Sequence, residues 1–191
     1  MLSSVHSSEG AEHQSVMSRP LSHHDESSAL VSASPERVFA LVDDHERLSS
    51  HMSQSSWRMA GARMRTIVDE RRGQTVGSHI RMSGRVLGFA LSLDEVVTAR
   101  EPPTRKPWET VGSPKLLVFG PYRMGLDVTP REKGSLLRVF IDYALPSTWP
   151  ERWLGRVFSG YYAHWCTQRM VNDAVGQFES TANKASQESH D

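Results

Sequence analysis

The sequence predicts an α+β domain in which a sheet of long antiparallel strands precedes one long C-terminal helix. Three observations predict it. Apolar residues alternate with a period of two from about residue 60 to 145. Glycines at 73, 77, 88, 112, 120, 125 and 134, together with EPPTRKP at 101–107, cut that stretch into strands. From about 149 to 181 apolar residues return at spacings of three and four, the repeat of a helix buried along one face.

Composition bounds the rest. A chain of 191 residues with 38% hydrophobic content buries one sizeable core and leaves little material for a second domain. The formal charge is zero at pH 7, so no global field selects DNA, RNA or an acidic membrane surface, and no nucleic-acid partner is expected. Partners have to be sought in local features. Cys166 is the only cysteine, which excludes an intrachain disulfide and a multi-cysteine zinc or iron-sulfur site. The start MLSSVHSSEGAEHQSV lacks a basic stretch followed by an apolar run, and no segment is apolar over the roughly 18 residues a membrane span requires. The expectation is a cytoplasmic protein without integral membrane association.

The elements follow in order. Residues 1–25 are rich in Ser, His and Glu and nearly free of large apolar side chains, so they read as a disordered tail; SHHDE within it is read as solvated. ESSALVSAS at 26–34 reads as the first strand. SPERVFALVDD then starts a helix, with Ser34 as N-cap, Pro35 at the first helical position and Glu36 at the positive helix end. A second short helix is expected through HERLSSHM at 45–52. Strands are expected near 62–71, 77–87, 89–99, 107–112, 115–129 and 136–145, making about seven with the first. After LPSTWPE comes the long helix, which Gly155 and Gly160 could kink or divide, and residues 183–191 read as a frayed tail. The folded domain is expected to occupy 26–182.

Strand periodicity sorts residues into two faces. Leu137, Val139, Ile141, Tyr143 and Leu145 share the inner one. With them go Met64, Thr66 and Val68; Ile80, Met82 and Val86; Leu91, Leu93, Glu95 and Val97; and Trp108, Thr110, Tyr122, Met124, Leu126 and Val128. A carboxylate among them is unusual. The methionines suit either a pliable pocket wall or ordinary core filling. Arg63, Arg65, Arg81 and Arg85 gather on the outer face, but a turn centred on Thr75 sets Asp69 opposite Arg81, and the turn at 87–88 sets Asp94 opposite it from the other side. That is a charge ladder rather than an anion-binding patch.

The segments VSASPERVFALVDD at 31–44, DEVVTAREPP at 94–103, PWETVG at 107–112 and the C-terminal aromatic helix resemble the START-like superfamily (Bet v 1-like, SRPBCC). They are most similar to bacterial members described as polyketide cyclase/dehydrase or lipid-transport-like. The likeness spans residues 26–182. It implies a helix-grip fold, in which a curved sheet wraps the C-terminal helix and leaves an apolar cavity between them. Members use that cavity for lipids, polyketides, sterols, quinones or aromatic hormones, and some are enzymes while many only bind. Such a fold does not by itself select a function.

On a helix laid over the concave face, the stripe Val157, Gly160, Tyr161, His164, Thr167 or Gln168, Val171, Ala174, Val175 and Phe178 is expected to turn inward. Gly160 would then allow close approach, at a helical cost of about 1 kcal/mol relative to Ala. Cys166 would point elsewhere, about 200° around the helix from His164, so the two cannot form a nucleophilic pair. There is no Ser-His-Asp order, phosphate-binding glycine loop or metal-spaced His pair; GRVLG at 84–88 is a hairpin. No metal or cofactor is therefore expected. Burial moves the proton affinities of a carboxyl and an imidazole in opposite directions, so Glu95 and His164 are the candidate acid and base for a cyclisation or dehydration. The alternative is that each makes a satisfied core hydrogen bond. The expected ligand-lining set is Met64, Met82, Trp108, Thr110, Tyr122, Met124, Tyr143, Tyr161 and His164. Three functions fit: binding of a small hydrophobic or aromatic molecule, a cyclase or dehydratase, and a regulatory module recruiting a protein partner.

Overall fold

The computed structural model describes residues 20–45, 63–86 and 89–188, without the side chains of 63, 64, 86 and 181–188. Its elements are β1 (His23–Val31), α1 (Pro35–Val42), β2 (Arg63–Val68), β3 (His79–Val86), β4 (Phe89–Val97), β5 (Arg105–Lys115), β6 (Tyr122–Arg131), β7 (Gly134–Tyr143) and α2 (Glu151–Glu188). The strands form one antiparallel sheet in the order β1-β7-β6-β5-β4-β3-β2. Strands β2 to β7 are a meander, and β1 crosses over to pair with β7, His23 opposite Tyr143 and Val31 opposite Ser135. α2 packs chiefly on β1 and β7, while α1 sits on β6 and β7. This is the α+β helix-grip arrangement. Of the second short helix, only His45 lies within the described residues.

Periodicity located the inner face correctly. Ile80, Met82, Leu93, Glu95, Val97, Trp108, Tyr122, Met124, Leu126, Val128, Leu137, Val139, Ile141 and Tyr143 are all buried. Ser34 stands at the N-cap of α1 with extended backbone and Pro35 follows it, but the Ser34 hydroxyl makes no capping bond. Several boundaries differ from expectation, among them the end of the C-terminal helix, which runs to Glu188 where it was expected to stop near 181, with 183–191 as a frayed tail. β1 begins at His23, so residues 23–25 pair with β7. The expected strand 115–129 is split, because Leu116–Pro121 leaves the ladder and Gly120 N donates to Ala144 O at 2.8 Å. A Cβ at Gly120 would lie 2.8 Å from Leu145 O, so only glycine lets the chain cross here. β5 runs to Lys115 because a register shift between Ser92 and Asp94 absorbs extra residues around Gly112, which has φ +70°.

One register expectation fails. Ile67, not Asp69, stands opposite Arg81. The intervening turn, with Arg72, Gly73 and Gly77 at positive φ, instead uses Asp69 as its anchor. Asp69 accepts from the Ser78 hydroxyl at 2.5 Å, His79 N at 3.0 Å and Arg71 N at 3.1 Å. The Asp94–Arg81 rung is as expected, with Arg81 Nε donating to Asp94 Oδ2 at 3.3 Å.

The larger correction concerns α2. Its buried residues are Gly155, Ser159, Ala163, Cys166, Thr167, Met170, Val171 and Ala174. His164, Tyr161, Val157 and Gly160, all expected inward, are exposed, and Cys166 is buried. The first half of the helix carries apolar residues on both faces, so a period of 3.6 does not by itself choose between them. Contact with the neighbouring loops chooses. A Cβ at Gly155 would meet Pro146 Cδ at 2.7 Å and Val118 O at 2.9 Å, whereas one at Gly160 would meet nothing within 4 Å. The close-approach glycine is Gly155. The helix is not divided at either position, and its 38 residues extend about 57 Å.

Candidate functional site

The inner faces of β4 and β5 carry a line of polar groups. Glu95 lies on β4 opposite Thr110 of β5, and Val97 lies opposite Trp108. Lys106, Trp108 and Thr110 alternate onto the same face. Glu95 is 1% exposed. The Tyr122 hydroxyl donates to Glu95 Oε1 at 2.5 Å, in the range of a charge-assisted bond. Burial first, then the neighbouring carboxylate, pushes the Tyr122 phenol well above its ordinary range, so Tyr122 stays neutral and donates. His45 Nε2 approaches the other oxygen, Oε2, at 3.5 Å, and the His45 ring meets Trp108 edge-on at 5.1 Å.

Behind this trio is a buried ion cluster. Lys106 is fully buried, its Nζ donating to Asp43 O at 2.6 Å and lying 3.0 Å from Asp43 Oδ1. Arg100 Nη2 donates to Asp43 Oδ2 at 2.8 Å. The last turn of α1 has no basic residue of its own, so Lys106 supplies the cation that its C-terminal carbonyls favour. Burial lowers the Lys106 pKa while Asp43 opposes the shift. For Asp43, burial acts upward, but Arg100 and Lys106 outweigh it and hold the carboxyl below its ordinary range.

An open cleft of about 970 Å³ adjoins the trio. It is bounded by the start of β4, the bulged end of β5, the 116–121 segment, Pro146–Thr148 and Glu151. Leu91, Leu116, Phe119, Pro121 and Pro146 give it apolar walls, and Glu109, Thr110, Arg123 and Glu151 are among its polar groups. Tyr122 is a lining residue of this cleft and its hydroxyl bonds Glu95, so a residue that bounds open space also holds the buried carboxylate. The Thr110 hydroxyl fixes that strand by accepting from Tyr122 N at 3.1 Å. The cleft lies beside the N-terminal end of α2, which contributes Glu151, rather than beneath its length.

Of the expected lining set, Thr110 and Tyr122 meet in this cleft. Met82, Trp108, Met124 and Tyr143 are buried in the core, Tyr143 stacked against His23 at 5.1 Å. The Met64 side chain lies outside the described residues. Tyr161 is 70% exposed. His164 does not join Glu95: its ring is 56% exposed, with Nδ1 3.5 Å from Asp25 Oδ1 on β1, four strand positions from β4. Sequence reasoning missed His45, Asp43 and Lys106. Lys106 was legible, since it shares the inward parity of Trp108 and Thr110; His45 follows a helix end and has no periodic signal.

Comparison with known proteins accords with this geometry. Residues 22–174 match the family described as polyketide cyclase / dehydrase and lipid transport. The chain belongs to this family. No curated protein matches the sequence. Among solved structures, TTHA0849 from Thermus thermophilus superposes with a TM-score of 0.60 at 14% identity, over 83% of this chain and 99% of that one. The Zhui aromatase/cyclase from a Streptomyces species gives 0.60 at 11% identity, over 82% and 93%. A norcoclaurine synthase point mutant from Thalictrum flavum, in complex with a transition-state analogue, gives 0.59 at 13% identity, over 84% and 96%. At such identities the likeness establishes the Bet v 1-like fold of this polyketide cyclase/dehydrase family member and nothing finer. Among its described residues no helix is long and apolar enough to cross a membrane, and no cluster of three or more His, Cys, Asp or Glu could hold a metal ion.

Proposed function

We propose that this protein binds a small hydrophobic or aromatic molecule, of lipid, polyketide or quinone type, in the cleft that ends on Tyr122. The observation that carries the reading is the cleft itself: about 970 Å³, with apolar walls interspersed with polar groups, at the upper end of the range usual for small-molecule sites, about 300–1,000 Å³. Family membership supports the same class of ligand. Gentle native mass spectrometry of fresh protein should reveal a co-purifying mass, and titration with fatty acids, quinones and aromatic polyketides should quench tryptophan emission. Leu91→Trp, which enlarges an inner-face side chain of the cleft wall, should weaken that binding by about tenfold or more, equivalent to about 1.4 kcal/mol. Unchanged affinity in that variant would remove the cleft as the site.

A second reading is favoured by the Tyr122–Glu95 hydrogen bond. A carbonyl compound held against Tyr122 would meet a neutral phenol backed by a buried carboxylate, with His45 behind it, a set suited to proton transfer in a cyclisation or dehydration. Glu95 keeps the role expected of it, while Tyr122 and His45 replace His164 as its partners. Glu95→Gln retains an acceptor for the Tyr122 hydroxyl but removes the base. Ligand binding should persist while turnover falls by about 10²–10⁴-fold; unchanged turnover would leave binding alone.

A further inference from the structure

We infer that the outer face of the first half of α2, with the turn before it, adsorbs to an anionic lipid surface. Among the described residues nine large apolar side chains are exposed, and five of them fall within thirteen positions: Trp149 (85%), Trp153 (60%), Val157 (54%), Phe158 (47%) and Tyr161 (70%). Trp153, Val157 and Tyr161 repeat every four residues and form a convex stripe, with Trp149 extending its line from the preceding turn. This is the apolar material that obscured the buried face of the helix, and the core does not use it. A concentration of exposed aromatics marks an interaction surface, whereas scattered apolar residues do not.

Charge selects the occupant. Arg152 and Arg156 are exposed beside the stripe, and among the described residues neither pairs with a carboxylate. The only carboxylate between 149 and 164 is Glu151, whose Oε2 is buried. Trp and Tyr place an apolar ring and a polar edge at the depth of lipid headgroups, and flanking arginines meet anionic phosphates there. Trp149, Trp153, Val157 and Tyr161 line neither the cleft above nor the smaller one, of about 320 Å³, that Arg152 borders, and a convex stripe suits a deformable lipid surface better than a shaped protein groove. Such adsorption is peripheral, and it stands independently of what the cleft holds. Ser147, Thr148 and Glu151 of the cleft wall belong to the same segment, so adsorption would bring the bilayer close to the cleft.

The test is flotation of the full chain with vesicles of phosphatidylcholine alone and of phosphatidylcholine with phosphatidylglycerol, scored also by tryptophan emission. Binding should be confined to the anionic vesicles and should shift the emission to the blue. R152Q/R156Q should weaken it by about 30-fold, since each basic residue near an anionic surface contributes about a factor of five. Trp149→Ser with Trp153→Ser should abolish it, with the thermal midpoint unchanged because both positions are exposed. Absence of flotation, equal binding to both vesicle types, or full binding by R152Q/R156Q would overturn the inference. So would light scattering showing a dimer that Trp153→Ser dissociates, which would assign the face to a second copy. Ligand titration in vesicle-free buffer reads the cleft separately, so either proposal can fail alone.

Discussion

Two carboxylates on the inner face of one sheet, Glu95 and Asp25, have different surroundings. Glu95, on β4, is sealed from solvent and bonded by the phenol of Tyr122, a residue that lines an open cleft. Asp25, on the edge strand β1, keeps a 23% exposed side chain beneath α2. There it accepts from the buried Thr167 hydroxyl at 2.9 Å, and Ser27 lies 3.0 Å from that same hydroxyl. The first arrangement leaves a polar group next to space where a molecule can enter. The second ties a helix to a strand and is complete without a ligand. An inward carboxylate is therefore not a site by itself; what matters is whether its partner also faces a cavity.

The sharpest way to break this contrast is at the ion cluster behind Glu95. Lys106→Met leaves Asp43 in the interior without its buried cation, and removing one member of a buried pair costs about 3–5 kcal/mol. Denaturant unfolding should show a loss of that size. A change below about 1 kcal/mol would mean that Arg100 alone holds Asp43 and that the Glu95 region is not anchored through α1.

A smaller effect is expected on the Asp25 side. Thr167→Val removes the hydroxyl shared with Asp25 and Ser27, and a hydrogen bond to a charged group contributes about 1.5–3 kcal/mol. Unfolding should report a loss within that range while ligand affinity at the cleft stays the same. Impaired ligand binding would show that the two carboxylates belong to one functional unit.

The smallest effect concerns the outer face of β1. Asp142 accepts from the His24 ring at 2.7 Å; this bond, joined by Glu26, raises the His24 pKa against the pull of partial burial. A raised imidazole pKa contributes stability that is full below its ordinary value of 6.5 and is lost as pH rises through the higher folded-state value. The unfolding midpoint should therefore fall slightly as pH rises from about 6 to about 8, and His24→Ala should flatten that slope. A slope retained in His24→Ala would assign it to another histidine.

Much of the fold was legible because strand parity is binary. Once Leu137, Val139 and Ile141 were assigned inward, Glu95, Trp108 and Tyr122 followed from alternation alone. The azimuth of α2 was legible only in its second half, where Thr167, Val171 and Ala174 are buried and Val175 and Phe178 pack against the core as expected. In the first half Val157 and Tyr161, with Trp153, mimic a core stripe at helical spacing, so periodicity offers two faces and the exposed one resembles a core. The error displaced His164 from the site; Cys166 is a packed residue, its thiol pushed up to about 12 by its surroundings, chiefly by burial, and therefore inert as a nucleophile. His45 was invisible for another reason: its approach to Glu95 depends on how the end of α1 meets β4 and β5.

Local chemistry in the chain determined the strands, their faces, the start of α1 and the presence of a carboxylate inside the sheet. Those properties depend on neighbours a few positions apart. Tertiary structure decided which side of the first half of α2 is buried, that Tyr122 and His45 meet Glu95, and that the cleft opens beside Pro146 and Glu151. Each joins residues far apart in sequence, and such contacts are set by how whole elements pack, which no local repeat encodes.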